Sequence, residues 1–248
     1  MIMENVEKQA EYPKGFTEAF SEDLIDEKVP IKDMVVVFAD MLGTKNLMME
    51  VKDNDEKAKE TYNKLRKISE IFRDAWGSIF KEDRDKEEII SMEISDSFVL
   101  AVPIEKKREL IEIIANFQYK ILEECNELMR GGVANGEIID WNSIENNKND
   151  VQKIIGPAFV SAHILEKENA IYPRIVLDSK LVSEDIKEFL MQDDDGFSFI
   201  NFKRKKDKKS IEYITNKIQQ KIKEASNDKI KQKYNWLLSY LYKESEDG

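Results

Sequence analysis

Met34-Val35-Val36-Val37-Phe38-Ala39 is an unbroken apolar run, rich in β-branched residues and ended by Asp40. Such a run predicts a strand buried on both faces. Gly43 supplies a turn just beyond it. The period then changes. Tyr62, Leu65, Ile68, Phe72, Ala75 and Trp76 recur every three or four residues, which predicts a helix with one apolar face, interrupted near its end by Gly77. From Ile89 to Val102, apolar residues alternate or run together on either side of Ser95-Asp96-Ser97. That pattern predicts two antiparallel strands joined by a tight turn, with Asp96 at the bend.

A second helix is predicted from Lys106 to Met129, its apolar positions being Leu110, Ile113, Ile114, Phe117, Ile121, Leu122, Cys125 and Leu128. Arg130-Gly131-Gly132 is expected to close it and lead into a strand from Val133 to Ile139. After a polar loop, Asn142 to Asp150, Gly156-Pro157 introduces a shorter helix from Ala158 to about Glu168. Two more strands are expected. One is Ile171 to Leu177, with Pro173 near its start or on an edge, and the other is Phe197 to Phe202.

The order strand, helix, hairpin, helix, strand, helix, strand is that of an α+β, ferredoxin-like core. Beyond it, Ile214, Ile218, Ile222 and Ala225 keep helical spacing, Asn227-Asp228 breaks it, and Ile230, Tyr234, Leu237 and Leu241 resume it. This predicts a helical hairpin. The expected division is an N-terminal arm at 1–30, a core at 31–205 and a C-terminal helical extension at 206–248. The basic run Lys203 to Lys209 between core and hairpin reads as a solvated loop with no function.

Composition narrows the classes. Thirty-nine basic residues against fifty acidic ones give a formal charge of −11, which argues against a nucleic-acid surface. A phosphate-bearing ligand is still compatible, because bound metals supply local positive charge. The one cysteine, Cys125, excludes an intrachain disulfide and a cysteine-cluster metal site. No stretch is long and apolar enough for a membrane span, and the first residues do not form a signal peptide. A cytoplasmic protein with no membrane partner is therefore expected. His163, the one histidine, makes histidine-based acid–base chemistry or a histidine metal site a poor fit and reads as a packed or interface side chain.

Asp40 alone is as well explained by a helix cap as by a ligand. Asp96 alone suits a tight turn for local reasons. Together they say more. A ferredoxin-like core puts the end of its first strand beside the bend of its hairpin, so both carboxylates reach the same sheet edge. They would repel one another without a cation between them. Paired carboxylates suit magnesium or manganese, and two such ions roughly 3.5–4 Å apart clamp a phosphoryl group. Met41-Leu42-Gly43-Thr44 adds a glycine turn able to cradle phosphate, without the Walker pattern. Arg130 is either a phosphate-reaching fork or a helix-end arginine.

These residues resemble a known set. Phe38-Ala39-Asp40-Met41-Leu42-Gly43 is similar to the first metal strand of class III nucleotidyl cyclases, and Ser95-Asp96-Ser97 to their second metal hairpin. Arg130-Gly131-Gly132-Val133-Ala134-Asn135-Gly136 resembles the next strand, and Gly156-Pro157-Ala158 through Ala162, then Leu165-Glu166, the glycine and helix after it. Ile171-Tyr172-Pro173-Arg174-Ile175-Val176-Leu177-Asp178 is similar to a run in the compact bacterial pyrimidine cyclases of Pycsar antiphage defence.

The resemblance spans roughly residues 33 to 180 and makes 31–205 the catalytic domain. It implies that Asp40 and Asp96, with a carbonyl at Met41, hold two divalent ions, Mn2+ or Mg2+. It further implies that Leu42, Gly43 and Thr44 cradle phosphates and that Arg130 steadies the polyphosphate. A homodimer with active sites at the interface follows. The ribose 3′-hydroxyl would attack the α-phosphorus and pyrophosphate would leave.

Three departures bear on the base and on the ribose and triphosphate. Ordinary adenylyl cyclases have a lysine where Met92 stands, an adenine-reading aspartate where Lys153 stands, and an asparagine and an arginine where Val160 and Ile164 stand. Met92 donates no hydrogen bond and Lys153 accepts none, so a purine site of the usual kind is disfavoured. The resemblance thus implies a pyrimidine triphosphate, UTP or CTP, with Lys153 tipping the expectation toward UTP. Arg174 is the candidate replacement for the missing arginine. The competing expectations are a purine cyclase or another nucleotidyltransferase, and a non-catalytic, nucleotide-binding dimeric sensor.

Overall fold

The computed structural model describes residues 31–44, 49, 51, 54–77, 89–140 and 154–243. The expected arm at 1–30, the loop Asn142 to Asp150 and Lys153 lie outside the described residues. In chain order the elements are β1 (Ile31–Leu42), α1 (Asp55–Gly77), β2 (Ile90–Ile94), β3 (Ser97–Pro103), α2 (Lys107–Lys120), β4 (Leu128–Asp140), β5 (Ile154–Ile155) and α3 (Pro157–Asn169). They continue with β6 (Ile175–Leu177), β7 (Leu190–Gln192), β8 (Ser198–Ile200), α4 (Lys208–Glu224) and α5 (Asp228–Tyr242). The fold is mixed α+β. Its sheet runs β2-β3-β1-β4-β6-β8-β7, with β5 on the edge of β4 and the β4–β6 pair parallel.

β1 is central because both of its faces are apolar. Val35, Val37, Ala39 and Met41 face the core shared with α1 and α2, while Met34 and Val36 face the smaller core under α3. Phe72 of α1, Phe98 of β3 and Phe117 of α2 meet with ring centroids 5.0–5.1 Å apart. Aromatic pairs of this kind add about 0.5–1.5 kcal/mol each beyond the area they bury. Ile214 and Ile218 of α4 and Leu237, Tyr240 and Leu241 of α5 belong to the same core as the sheet. The helical extension is therefore packed into the body of the protein.

Several expected boundaries change. Tyr62 is exposed, so the apolar stripe of α1 is narrower than its spacing suggested. The second helix does not reach Met129. It loosens into a π-turn at Ile121–Cys125 and stops at Asn126, whose φ is +55°. Leu128 continues the helical period but pairs in β4 with Leu42, and Met129 with Met41. Arg130-Gly131-Gly132 is thus mid-strand and closes no helix. The strand expected from Ile171 shortens to β6, since Ile171 and Arg174 make local turn hydrogen bonds around Pro173. The last predicted strand shortens to β8, and β5 and β7 were not foreseen.

The two glycines of β4 are there for closeness. A Cβ on Gly131 would stand 2.6 Å from the Phe38 carbonyl oxygen, and one on Gly132 would stand 2.2 Å from the Ala162 carbonyl oxygen of α3. Both neighbours are backbone and have little room to move. Gly132→Ala is expected to lift α3 from the sheet and cost about 1–3 kcal/mol, an overpacking penalty read as a lower midpoint in thermal denaturation. A midpoint equal to that of the parent would mean that α3 is not seated on Gly132.

Lys203 corrects the reading of the basic run as a solvated loop. It is buried, and its ammonium donates to the carbonyls of Tyr240 (2.7 Å), Leu241 (3.3 Å) and Lys243, where α5 ends. A cation there satisfies carbonyls that the helix leaves open. Burial pushes its pKa down, and Lys243 adds to the effect. Among the described residues no helix is long and apolar enough to cross a membrane.

Candidate functional site

The site grows from the last residues of β1. Asp40 lies opposite Ser97 of β3 on one side and opposite Arg130 of β4 on the other. Alternation puts Asp40, Ser97 and Arg130 on the sheet face that α3 covers. Ser97 Oγ donates to Asp40 Oδ1 at 2.9 Å. The β2–β3 hairpin closes with the two-residue loop Ser95-Asp96, in which Ser95 takes φ +59° as the first position of a primed turn requires. That loop is pinned to β1, because the Met41 amide donates to the Asp96 carbonyl at 3.2 Å.

Beyond Met41 the chain turns at Gly43, with φ +96°, and returns Thr44 into the same corner. The Thr44 hydroxyl lies 3.0 Å from the Met41 carbonyl oxygen and also contacts Asp96 Oδ2. One hydroxyl proton thus faces two acceptors. Asp40 shows the same excess of negative charge. Burial pushes its pKa up, the Ser97 hydrogen bond works against this, and Asp96 pushes it up further. Oxygen acceptors outnumber protons at this corner, which is the donor set that Mg2+ or Mn2+ takes.

Asp40, Asp96 and the Met41 carbonyl bring oxygen donors of the kind such ions take. Among the described residues no group of three or more His, Cys, Asp or Glu is placed to hold a metal. Two carboxylates and a carbonyl suit magnesium sites, in which water and phosphate oxygens complete the coordination.

Arg130 already has a partner in this site. Its Nη2 sits 2.6 Å from Glu166 Oε1 on α3. The contact is one of charge more than of directed hydrogen bonding. Arg130 Nε and Glu166 Oε1 are both buried without a hydrogen-bond partner. Burial pushes the Glu166 pKa up, Arg130 opposes this, and Asp40 adds to it. Glu166 therefore belongs to the same charged cluster. Its one advance signal was its place beside Leu165 in the α3 motif. His163 is exposed and sets its ring edge-on to Phe38 at 4.9 Å, close enough for its charge to act on Asp40.

The remaining expected residues divide. Leu42, Gly43 and Thr44 line a cleft of about 560 Å³ whose far wall is the hairpin of α4 and α5. Met92 pairs with Val99 and packs on the core of the face that carries Asp40. Arg174 does not serve as a replacement for the missing arginine. It is fully buried and bound to Asp193, Asp195 and the Asn169 carbonyl. Lys233 of α5 was not foreseen. Arg130 and Asp40 both act on its charge, and no sequence spacing linked it to them.

No family model and no curated protein matches the chain. Solved structures do. An adenylyl cyclase from P. aeruginosa aligns at 15% identity and TM-score 0.48, covering 70% of this chain and 96% of its own. A bacterial light-regulated adenylyl cyclase aligns at 14% and 0.46, covering 77% and 98%. A guanylyl cyclase aligns at 9% and 0.46, covering 70% and 93%. Likenesses this distant carry no weight for the chemistry of this chain.

Proposed function

We propose that the chain is a metal-dependent nucleotide cyclase that joins the 3′-hydroxyl of UTP or CTP to its own α-phosphorus and releases pyrophosphate. The observation that carries this reading is the oxygen-rich corner where Asp40, Asp96, the Met41 carbonyl and Thr44 converge. Asp40, Asp96 and Met41 would hold two divalent ions there, Mn2+ or Mg2+. Bound divalent ions neutralise the triphosphate and stabilise the charge that grows on the α-phosphate. Ser97 keeps Asp40 aimed, and the Met41 amide keeps the Asp96 loop on β1. The order β2-β3-β1-β4, which sets the end of β1 beside the β2–β3 bend, supports this reading.

Two further features support the finer parts. Met92 offers the base no donor, which fits a pyrimidine better than the usual adenine reader. Val160 and Ile164 on α3 and Ile94 at the hairpin are exposed apolar side chains, as a two-fold interface beside the site would require. The product would serve as a cyclic pyrimidine messenger in bacterial antiphage signalling.

One observation favours a second reading. Glu166 occupies Arg130, as would suit a dimeric sensor that binds nucleotide without turning it over.

Incubation with all four triphosphates and manganese, followed by product identification, separates the readings. Cyclic UMP or cyclic CMP with pyrophosphate is expected. Preferential product from ATP or GTP, or extension of a primer, would assign a purine cyclase or another nucleotidyltransferase. Binding without pyrophosphate would assign the sensor. Full activity of a monomer on dilution would remove the shared-site dimer.

A further inference from the structure

The cleft beside the oxygen corner has a wall that the proposed chemistry has not used. Leu42, Gly43 and Thr44 face Lys221, Asn227 and Lys233 across about 560 Å³. Among the described residues of its lining the one carboxylate, Glu127, is taken by Lys64 of α1. The cleft is therefore basic, with Lys221 near its outer rim in a loose 4.0 Å contact with Glu224.

Lys233 lies further in and is half-buried, and no hydrogen bond or ion pair joins its ammonium to another described residue. Other lysines nearby are engaged: Lys64 with Glu127, Lys217 with the Glu123 carbonyl and Lys203 with the end of α5. Burial and the Arg130 cation both push the Lys233 pKa down, while Asp40 alone pulls it up. A partly desolvated cation facing another cation is stabilised by an incoming anion.

We infer that this cleft receives the outer phosphates of the triphosphate and that Lys233, supplied by the C-terminal hairpin of the same chain, holds them. The inference rests on the metal-dependent triphosphate reading for its substrate. Its geometry is its own. Arg130 is occupied by Glu166 and Arg174 by Asp193 and Asp195, which leaves Lys233, among the described residues that line the cleft, as a cation with no ion-pair partner. The extension then completes the phosphate site in addition to sealing the core.

The test is made on the full chain with Lys233→Gln, which keeps length and polarity, and Lys233→Arg, which restores charge. Lys233→Gln is expected to raise both KM for the triphosphate and the inhibition constant of magnesium pyrophosphate. The rise should be about tenfold to a hundredfold, the range for losing a hydrogen bond to a charged group. Inhibition by the cyclic product should not change, because that ligand has no outer phosphates. Lys233→Arg should recover most of the loss.

If both constants in Lys233→Gln equal those of the parent, the inference is overturned. If the parent chain makes no cyclic nucleotide from any triphosphate, the cyclase reading fails separately, and calorimetry with magnesium pyrophosphate decides the cleft. Weaker binding by Lys233→Gln than by the parent supports it. Equal binding, or none by either protein, overturns it.

Discussion

Asp40→Asn and Asp96→Asn are each expected to lower cyclic-nucleotide formation by at least ~10³-fold while leaving the fold intact, because each removes one of the two anionic ligands that the ions need. The fold survives for a local reason. Asparagine keeps an oxygen able to accept from Ser97, and the Asp96 loop is held to β1 by backbone. The metal-free proteins add a second readout. Burial, aided by Asp96, raises the folded pKa of Asp40 above its ordinary value. The folded state thus holds that proton more tightly than the unfolded chain does. The contribution of Asp40 to stability falls as pH rises from the ordinary carboxylate range through the raised value, and it stays low above it.

Metal-free Asp40→Asn should consequently melt higher than the parent at neutral pH and level with it in acid. Manganese should raise the midpoint of the parent and leave that of the variant unmoved. Turnover by either variant at the parental rate would remove the basis of the cyclase reading.

The sequence showed this corner better than it showed what surrounds it. The run from Met34 to Ala39 and the Ser95-Asp96 turn are local signals, and β1 and the hairpin stand where they pointed. Leu128 misled because three-residue spacing from Cys125 satisfies a helix as well as the true pairing with Leu42 satisfies a strand. The left-handed turn at Asn126 decides between them, and neither hydrophobic pattern reveals it. Gly131 and Gly132 read as a turn, yet what they accommodate is the Phe38 backbone and α3, which lie far from them in sequence.

Cations were the least legible. Lys203 finds carbonyls at the end of α5, Arg130 finds Glu166, and Lys233 meets Arg130 and Asp40 only once the hairpin is docked. Charge placement of this kind depends on long-range packing, and a run of lysines carries no trace of it.

Arg174→Met is the other large effect expected, and it falls on stability. Arg174 is fully buried, donates through both terminal nitrogens to Asp195 and through Nη1 to Asp193, and lies 5.8–6.0 Å from the rings of Tyr172, Phe199 and Trp236. Trp236 Nε1 donates to the same Asp193 at 2.8 Å, so the arginine ties α5 to the β7–β8 turn. Methionine fills the volume but leaves the half-buried Asp193 without its cation, while the exposed Asp195 turns to water. Losing the partner of a half-buried charge in this way costs about 1–3 kcal/mol, or roughly 2–12 °C in Tm for a chain of this size.

The pH profile should change as well. The Arg174 hydrogen bond holds the Asp195 pKa below its ordinary value. The stability it lends is present above the ordinary carboxylate range and is lost as pH falls through the lowered value. That acid limb should flatten in the variant. Because Lys233 lies one turn before Trp236, loosening α5 should also raise KM for the triphosphate while kcat at saturation changes little. An arginine that clamped the transition state directly would give the opposite signature, a loss of kcat at unchanged Tm. Tm and steady-state kinetics measured on the same preparation distinguish the two.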